Sequence, residues 1–136
     1  MKNKVQGVII TMLVCCFILS TSALAATVNK TISLPAGTWV SNKEQKSNAS
    51  LSYGIARCVA VYPVNGKDDN YTKIKVRTKS GGQIISAQQE YILTEGDTAT
   101  TIYYKKLPAV GDNVNMQFRG NSDNLSAKAD VVYNVN

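Results

Sequence analysis

Three basic side chains alternate along one short segment of the chain. Lys73, Lys75 and Arg77 are separated by the apolar residues Ile74 and Val76. Successive side chains of an extended strand point to opposite faces, so the three cations share one face of a predicted strand. Such a stripe is typical of a surface that binds a polyanion, or of a solvated face that discourages strands from pairing edge to edge. The charge balance of the chain is ordinary for a soluble domain and favours the simpler, solvated interpretation.

Aromatic side chains near this stripe extend the candidate site. Tyr71 stands at the head of the same strand, and Tyr103 and Tyr104 are neighbours that must point to opposite faces of theirs. One of the pair is therefore expected to be exposed. We take the ligand-binding candidates to be Tyr71, Lys73, Lys75, Arg77 and Tyr104. The single Trp39 is expected in the core.

The sequence offers little for catalysis. It has no His, which removes the commonest general base and the commonest metal ligand. A Ser or Cys nucleophile needs a nearby base. Of the three Cys, Cys15 and Cys16 lie in an apolar N-terminal run, and zinc, copper or haem sites need ligands that the remaining Cys58 cannot supply alone. There is no phosphate-binding glycine loop in the sequence. A carboxylate pair such as Glu90 and Asp97 is the remaining route to hydrolysis. We expect a protein that is not an enzyme and that uses no cofactor or metal.

Calcium is the one metal ion with possible ligands. Carboxylate and amide oxygens lie in three predicted loops, at residues 68–70, 112–113 and 121–124. None of these loops follows the twelve-residue EF-hand pattern. Asp and Asn are also the ordinary residues of turns, which is the interpretation we favour.

The first 25 residues have the three parts of a secretory signal peptide. Lys2 and Lys4 precede an apolar run over residues 8–19, and Ala23 and Ala25 supply the small side chains that signal peptidase needs. The run is too short for a membrane-spanning helix, which takes about 20 apolar residues. Cleavage after Ala25 predicts a secreted domain over residues 26–136, and lowers the formal net charge of +6 by two.

Residue alternation predicts short strands throughout residues 26–136. Polar turns recur about every ten residues, as in all-β sandwiches and barrels. The strongest turn signal covers residues 63–70, and a second polar, turn-like segment covers residues 42–48. A strand that is covered on both faces is predicted for residues 55–62. Residues 86–93 would also suit one or two helical turns. We predict one antiparallel β-sandwich of about eight strands, either immunoglobulin-like or jelly-roll-like. In it, we expect Cys58 to be a buried free thiol rather than part of an intermolecular disulfide.

Two functions fit these observations. The first is a secreted, non-enzymatic protein that binds an extracellular polyanion, a glycan or a cell-envelope surface. The second is a small cationic secreted effector, either antimicrobial and bacteriocin-like or acting on membranes. The predicted hairpin over residues 71–93 is the candidate membrane-active segment. A bacterial source is suggested by the Lys-rich start and short apolar run. The sequence gives no indication of intracellular nucleic-acid binding, nor of a transmembrane segment after the signal peptide, and it leaves the oligomeric state open.

Overall fold

The protein consists mainly of short β-strands. Its structure, a computed structural model, describes residues 26–64 and 71–136. Nine strands form in these two ranges: β1 (Val28–Leu34), β2 (Val40–Gln45), β3 (Tyr53–Pro63), β4 (Lys73–Ser80), β5 (Gln83–Ile84), β6 (Tyr91–Thr94), β7 (Thr100–Tyr103), β8 (Asn113–Gly120) and β9 (Ala127–Asn134). The predicted signal peptide at 1–25 and most of the predicted turn at 63–70 lie outside the described residues.

Two antiparallel sheets stack face to face, which confirms the predicted β-sandwich. The first sheet has the strand order β1-β9-β3-β7. The second has the order β2-β8-β4-β5, with β6 also paired to β4. Every named strand pair is antiparallel.

The core lies between the sheets and contains the alternate residues that the sequence predicts. In the second sheet, Ile74 and Val76 of β4 lie beside Met116 and Phe118 of β8, and all four are fully buried. From the first sheet, the Tyr133 ring of β9 packs 5.6 Å from the Phe118 ring, measured between centroids. Burying such side chains stabilises the fold by about 1.5–3 kcal/mol each. The side chains between them in sequence must therefore face outward.

Strand β2 is a departure from the prediction. Residues 40–45 form a strand paired to β8, although the sequence predicts a turn for most of the segment. Only Val40 in β2 is apolar, so no apolar alternation marks the strand. Its inward-facing Asn42 is 5% exposed and accepts a hydrogen bond from the Lys30 ammonium of β1 at 2.9 Å. This contact joins the two sheets at one side of the sandwich.

Strand β3 departs from the prediction in a different way. It is central in the first sheet, between β9 and β7, but only its inner face is covered. Arg57 and Val59 are exposed, while Cys58 is 1% exposed, in agreement with the predicted burial of its side chain. The pairing of β3 with β9 shifts register between Cys58 and Ala60. Gly54 is needed because a Cβ there would lie 2.8 Å from both the Asn134 carbonyl oxygen and the Tyr104 hydroxyl.

The connection from β5 to β6 closes the other side of the sandwich. Residues 86–93 form a bridge, a bend and part of β6 rather than a helix. Ser86 pairs with Tyr104, and the Ala87 N–H donates to the Tyr103 carbonyl at 2.7 Å. Because extended pairing here satisfies backbone groups of both sheets, tertiary contacts override the local helical preference.

A buried lysine holds one end of the sandwich together. Lys46 is 1% exposed, and its ammonium donates to the carbonyl oxygens of Leu51 at 2.5 Å and Asn136 at 2.9 Å. The same nitrogen lies 5.7 Å from the centre of the Tyr104 ring, a cation–π distance. Burial lowers the pKa of Lys46 from its ordinary value. The two carbonyls and the ring together take the place of the water around this cation.

Candidate functional site

The outer face of the second sheet carries a concentration of positive charge. Lys73, Lys75, Arg77 and Lys79 alternate with buried residues along β4 and therefore point away from the core. By the same alternation, Arg119 of β8 and Lys43 of β2 point to this side. The strand register places Lys75 beside Arg119, and places Lys43 and Lys79 on either side of Asn115. We call these six residues the cationic face.

Two of the six cations are paired with carboxylates. The Lys75 ammonium lies 2.7 Å from a carboxylate oxygen of Glu90, the residue that immediately precedes β6. Arg119 pairs with Asp123, four residues further along the chain. These are the ion pairs formed among residues 26–64 and 71–136. Exposed pairs of this kind contribute at most about 1 kcal/mol to stability.

Arg77 is held by neutral partners. Its Nε–H donates to Gln117 Oε1 at 2.8 Å, and Gln117 in turn donates to Ser41 Oγ at 2.6 Å. The guanidinium also lies 4.0 Å from the centre of the Trp39 ring. Burial lowers the pKa of Arg77 from its ordinary value, while nearby Glu90 acts in the opposite direction. The group remains charged, because a guanidinium does not lose its proton in proteins.

The ammonium groups of Lys43, Lys73 and Lys79 form no ion pair or hydrogen bond within the described parts of the chain. Lys73 and Lys79 lie six residues apart on β4, which corresponds to about 20 Å. Lys43 and Lys79 lie two strand spacings apart, about 10 Å. The free ammonium groups thus mark out an elongated area rather than a single pocket.

The structure gathers only part of the predicted site. Lys73, Lys75 and Arg77 share the cationic face, and Tyr71 precedes them as a half-buried ring packed against the core. Tyr104 is elsewhere: it is 9% exposed between the sheets, and its hydroxyl donates to the Val135 carbonyl at 2.7 Å. The exposed member of that pair is Tyr103, at 57%. Tyr104 points inward because it follows Ile102, a buried residue of β7, by two positions.

Trp39 is also placed differently from the expectation. The ring is half-buried beneath Arg77 at the border of the cationic face and is not part of the core cluster. Sequence reasoning misses Lys43 as well, because no apolar alternation marks β2 as a strand. Arg119 points outward as the alternation predicts, but the pairing of β8 with β4 that brings it beside Lys75 has no local signal.

The outer face of the first sheet has a different character. Asp130 accepts hydrogen bonds from the Thr31 hydroxyl at 2.5 Å and the Tyr62 hydroxyl at 2.8 Å. The hydrogen bonds from Thr31 and Tyr62 lower the pKa of Asp130, and that from Tyr62 raises the pKa of the phenol. Tyr53 and Tyr103 form an edge-to-face pair with centroids 6.2 Å apart. This face therefore combines aromatic, polar and charged groups without the dominance of one sign.

Several of the acidic residues suggested for calcium binding or catalysis have other partners in the described parts of the chain. No group of three or more His, Cys, Asp or Glu side chains suited to a metal ion occurs there. Asp112 accepts a hydrogen bond from the Ala109 N–H, and Asp123 pairs with Arg119. The Asp68-Asp69-Asn70 loop lies outside the described residues. Glu90, one member of the suggested carboxylate pair, is bound to Lys75.

Comparison with known proteins gives no relative: no family model, curated protein or solved structure matches the chain. The described residues include no helix that is long and apolar enough to cross a bilayer.

Proposed function

We propose that this protein is an exported, non-enzymatic binding protein whose cationic face binds a linear extracellular polyanion. The observation that carries the proposal is the set of three lysines, Lys43, Lys73 and Lys79, that have no carboxylate partner among the described residues. They are spread over an area about 20 Å long and 10 Å wide.

This spread favours a polymer over a small anion. A single phosphate or carboxylate can contact only groups within a few ångströms, whereas these ammonium groups are attached to backbone positions up to about 20 Å apart. A chain of repeating phosphate, sulfate or carboxylate groups can neutralise them one after another. Binding of this kind releases counterions and weakens steeply as salt is added.

The candidate polymers are those of the cell envelope and its surroundings, such as teichoic acids and acidic polysaccharides. A neutral glycan is less well supported. One side of the Trp39 ring is occupied by the Arg77 guanidinium, which leaves less of the ring for stacking on a sugar. We therefore propose that recognition depends mainly on the negative charge of the polymer and only secondarily on stacking of a sugar ring against Trp39.

Several features support a binding protein over an enzyme. The sequence lacks His, and the Cys58 thiol is buried. Burial, with the negative charges of Glu95 and Asp130 adding to it, raises the pKa of that thiol to about 11. A thiol in this state is a poor nucleophile at neutral pH, because the reactive form is the thiolate.

The membrane-active effector is the alternative. Its proposed hairpin, residues 71–93, contains β4, β5 and β6. Strand β4 is paired on one side with β8, and its Ile74 and Val76 are fully buried. Insertion of the hairpin into a bilayer would require that these core contacts break. The fold therefore supports surface binding over hairpin insertion.

The test is salt-dependent retention on heparin and binding to purified lipoteichoic acid. We expect the Lys73→Gln/Lys79→Gln variant to elute at lower salt, and the slope of log affinity against log salt to fall by about 1.4 if each lysine makes one contact. The matched control is Lys128→Gln, compared with Lys73→Gln alone, because Lys128 is exposed on the outer face of the other sheet and its ammonium makes no ion pair or hydrogen bond among the described residues. Native elution at or below about 0.15 M salt, or equal effects of the two single variants, would contradict the proposal.

Export is tested separately from binding. We expect the protein recovered from a secreting host to begin at Ala26, because Ala23 and Ala25 occupy the positions that signal peptidase reads. N-terminal sequencing measures this directly. An intact Met1 in the exported fraction would contradict the predicted cleavage.

A further inference from the structure

The loop between β7 and β8 presents aliphatic side chains to solvent beside two lysines. Leu107 is 50% exposed and Val110 is 56% exposed. Lys105 and Lys106 come immediately before them and are also exposed. Single exposed aliphatic residues are normal, but here two lie within four positions and directly follow two lysines. The loop also contains one acid, Asp112, so it carries two positive charges against one negative. We call residues 105–112 the basic-apolar loop.

Hydrogen bonds fix the shape of this loop. The Lys105 N–H donates to the Ile85 carbonyl at 2.8 Å, and the Gly111 N–H donates to the Lys46 carbonyl at 2.8 Å. Between these anchors, the Ala109 N–H donates to the Asp112 carboxylate at 2.8 Å, and the Asp112 N–H donates back to the Ala109 carbonyl at 3.0 Å.

Two further residues set the direction of the side chains. Pro108 is buried, and Gly111 has a φ of 87°, in the left-handed region. With Pro108 turned inward and both ends bonded, Leu107 and Val110 are held in solvent on the two sides of the proline. The exposure of the two aliphatic groups is thus built into the loop rather than a result of local freedom.

A cleft of about 430 Å³ adjoins the loop. Lys106, Leu107 and Asp112 are among its lining residues, together with Ser80 and Gly81 at the β4–β5 turn. A cleft of this volume, lined by a lysine, has room for a group of headgroup size.

We propose that the basic-apolar loop docks onto the surface of an anionic phospholipid bilayer. Leu107 and Val110 enter the boundary between headgroups and acyl chains, while Lys105 and Lys106 contact headgroup phosphates. Amphipathic elements bind bilayers by this combination of buried apolar area and attraction to anionic lipid. The charge of the loop matches an anionic surface, and its exposed aliphatics give it something to bury there. This site is separate from the cationic face and uses none of the same residues.

The test is co-sedimentation of the protein, purified after processing by a secreting host, with two kinds of vesicle. One contains phosphatidylglycerol and phosphatidylcholine in equal parts, and the other contains phosphatidylcholine alone. We expect binding to the first and much weaker binding to the second. Each lysine contributes about fivefold to the affinity for anionic vesicles, so Lys105→Gln/Lys106→Gln is expected to lower it about 25-fold.

The apolar contribution is tested with a matched pair of variants. We expect Leu107→Ser/Val110→Ser to lower the affinity for the anionic vesicles by about tenfold or more. Val59→Ser/Ile92→Ser is the control, because Val59 is 41% and Ile92 46% exposed on other surfaces. Thermal melts confirm that each variant is folded.

The outcomes separate this proposal from the proposed function. Failure of the native protein to sediment, or equal losses in the two Ser variants, overturns the docking loop. It is also overturned if Lys73→Gln/Lys79→Gln abolishes vesicle binding while the loop variants retain it, since the cationic face would then contact the lipid. Heparin retention of Leu107→Ser/Val110→Ser stays native if the cationic face is a separate site, whatever the vesicle result.

Discussion

The Arg77 guanidinium lies 4.0 Å from the centre of the Trp39 ring, so a residue from the middle of the cationic face covers the single tryptophan of the chain. Arg77 comes from β4, while Trp39 immediately precedes β2, and β8 lies between the two strands. The long arginine side chain crosses β8, where Gln117 accepts its Nε–H. The arrangement joins the three strands on their outer surface and places a fluorophore within the candidate site.

Trp39 should therefore report on ligand binding. We expect lipoteichoic acid or heparin to change the fluorescence of Trp39, because a polyanion on the face would attract Arg77 or alter its contact with the ring. In Arg77→Gln the starting emission should already be altered and the response to the polyanion smaller. The measurement is a fluorescence titration at low and high salt. An unchanged spectrum in native protein that demonstrably retains heparin would place the polyanion away from Trp39.

Gly54 is expected to be intolerant of a side chain. Gly54→Ala would place a Cβ 2.8 Å from the Asn134 carbonyl oxygen and 2.8 Å from the Tyr104 hydroxyl. Both are held in the buried end of the sandwich, so the backbone must shift, at a cost of about 1–3 kcal/mol in the free energy of unfolding. Urea denaturation measures the cost. Gly81→Asn is the control, because Gly81 has a φ of 54° and open space around it, and Asn tolerates that conformation. Native stability in Gly54→Ala would show that the close approach is not rigid.

The protein should lose stability in alkaline solution. Burial raises the pKa of Cys58 to about 11 and, with Glu44 adding to it, raises that of Tyr133 to about 12. A group whose pKa is raised in the folded state contributes its full stabilisation of the fold below its ordinary pKa, which is 9.0 for Cys58 and 10.0 for Tyr133. That contribution is lost as the pH rises toward the pKa of the folded state. Lys46 has the opposite effect on stability. Because its pKa is lowered in the folded state, the unfolded chain binds more protons at this residue, and a rise in pH favours the folded state.

The measurement for this prediction is the unfolding midpoint between pH 8 and pH 11. We expect a decline that becomes shallower in Cys58→Ala, and a thiol that reacts with a disulfide reagent only after unfolding. The slope of the midpoint against pH, rather than the midpoint itself, is the quantity compared, since the smaller side chain also changes the packing. Rapid thiol modification of the native protein would contradict the buried position of Cys58.

Replacement of Lys46 should loosen the end of the sandwich. Lys46→Met keeps the apolar stem but removes the donor to the carbonyl oxygens of Leu51 and Asn136. Carbonyls left without partners in a buried site cost about 1–3 kcal/mol in the free energy of unfolding. Hydrogen exchange localises the effect, which we expect around residues 46–52 and 134–136. Lys43→Met is the control, because Lys43 is an exposed lysine on β2, three residues before Lys46. An equal effect there would remove any special role for Lys46.

The sequence by itself determined the strands whose apolar residues alternate. In β4, β8 and β9 the inward-facing residues can be named from the local pattern, because a period of two fits no other regular structure. The same alternation turns Lys73, Lys75 and Arg77 outward, so the centre of the cationic face is readable locally. The absence of His also bounds the chemistry, since composition alone removes the commonest general base.

Tertiary structure decided everything that depends on which strands are neighbours. Strand β2 has almost no apolar pattern and exists because β8 offers it backbone hydrogen bonds, which brings Lys43 to the face and Trp39 to its border. The hydrogen bond from Tyr104 to Val135, the contact of Arg77 with Trp39 and the bond from Lys46 to Asn136 all join residues distant in sequence. Which strands pair depends on the free energy of the whole packed core, and each segment contributes to it only in combination with the others. No single stretch of residues therefore determines the strand order.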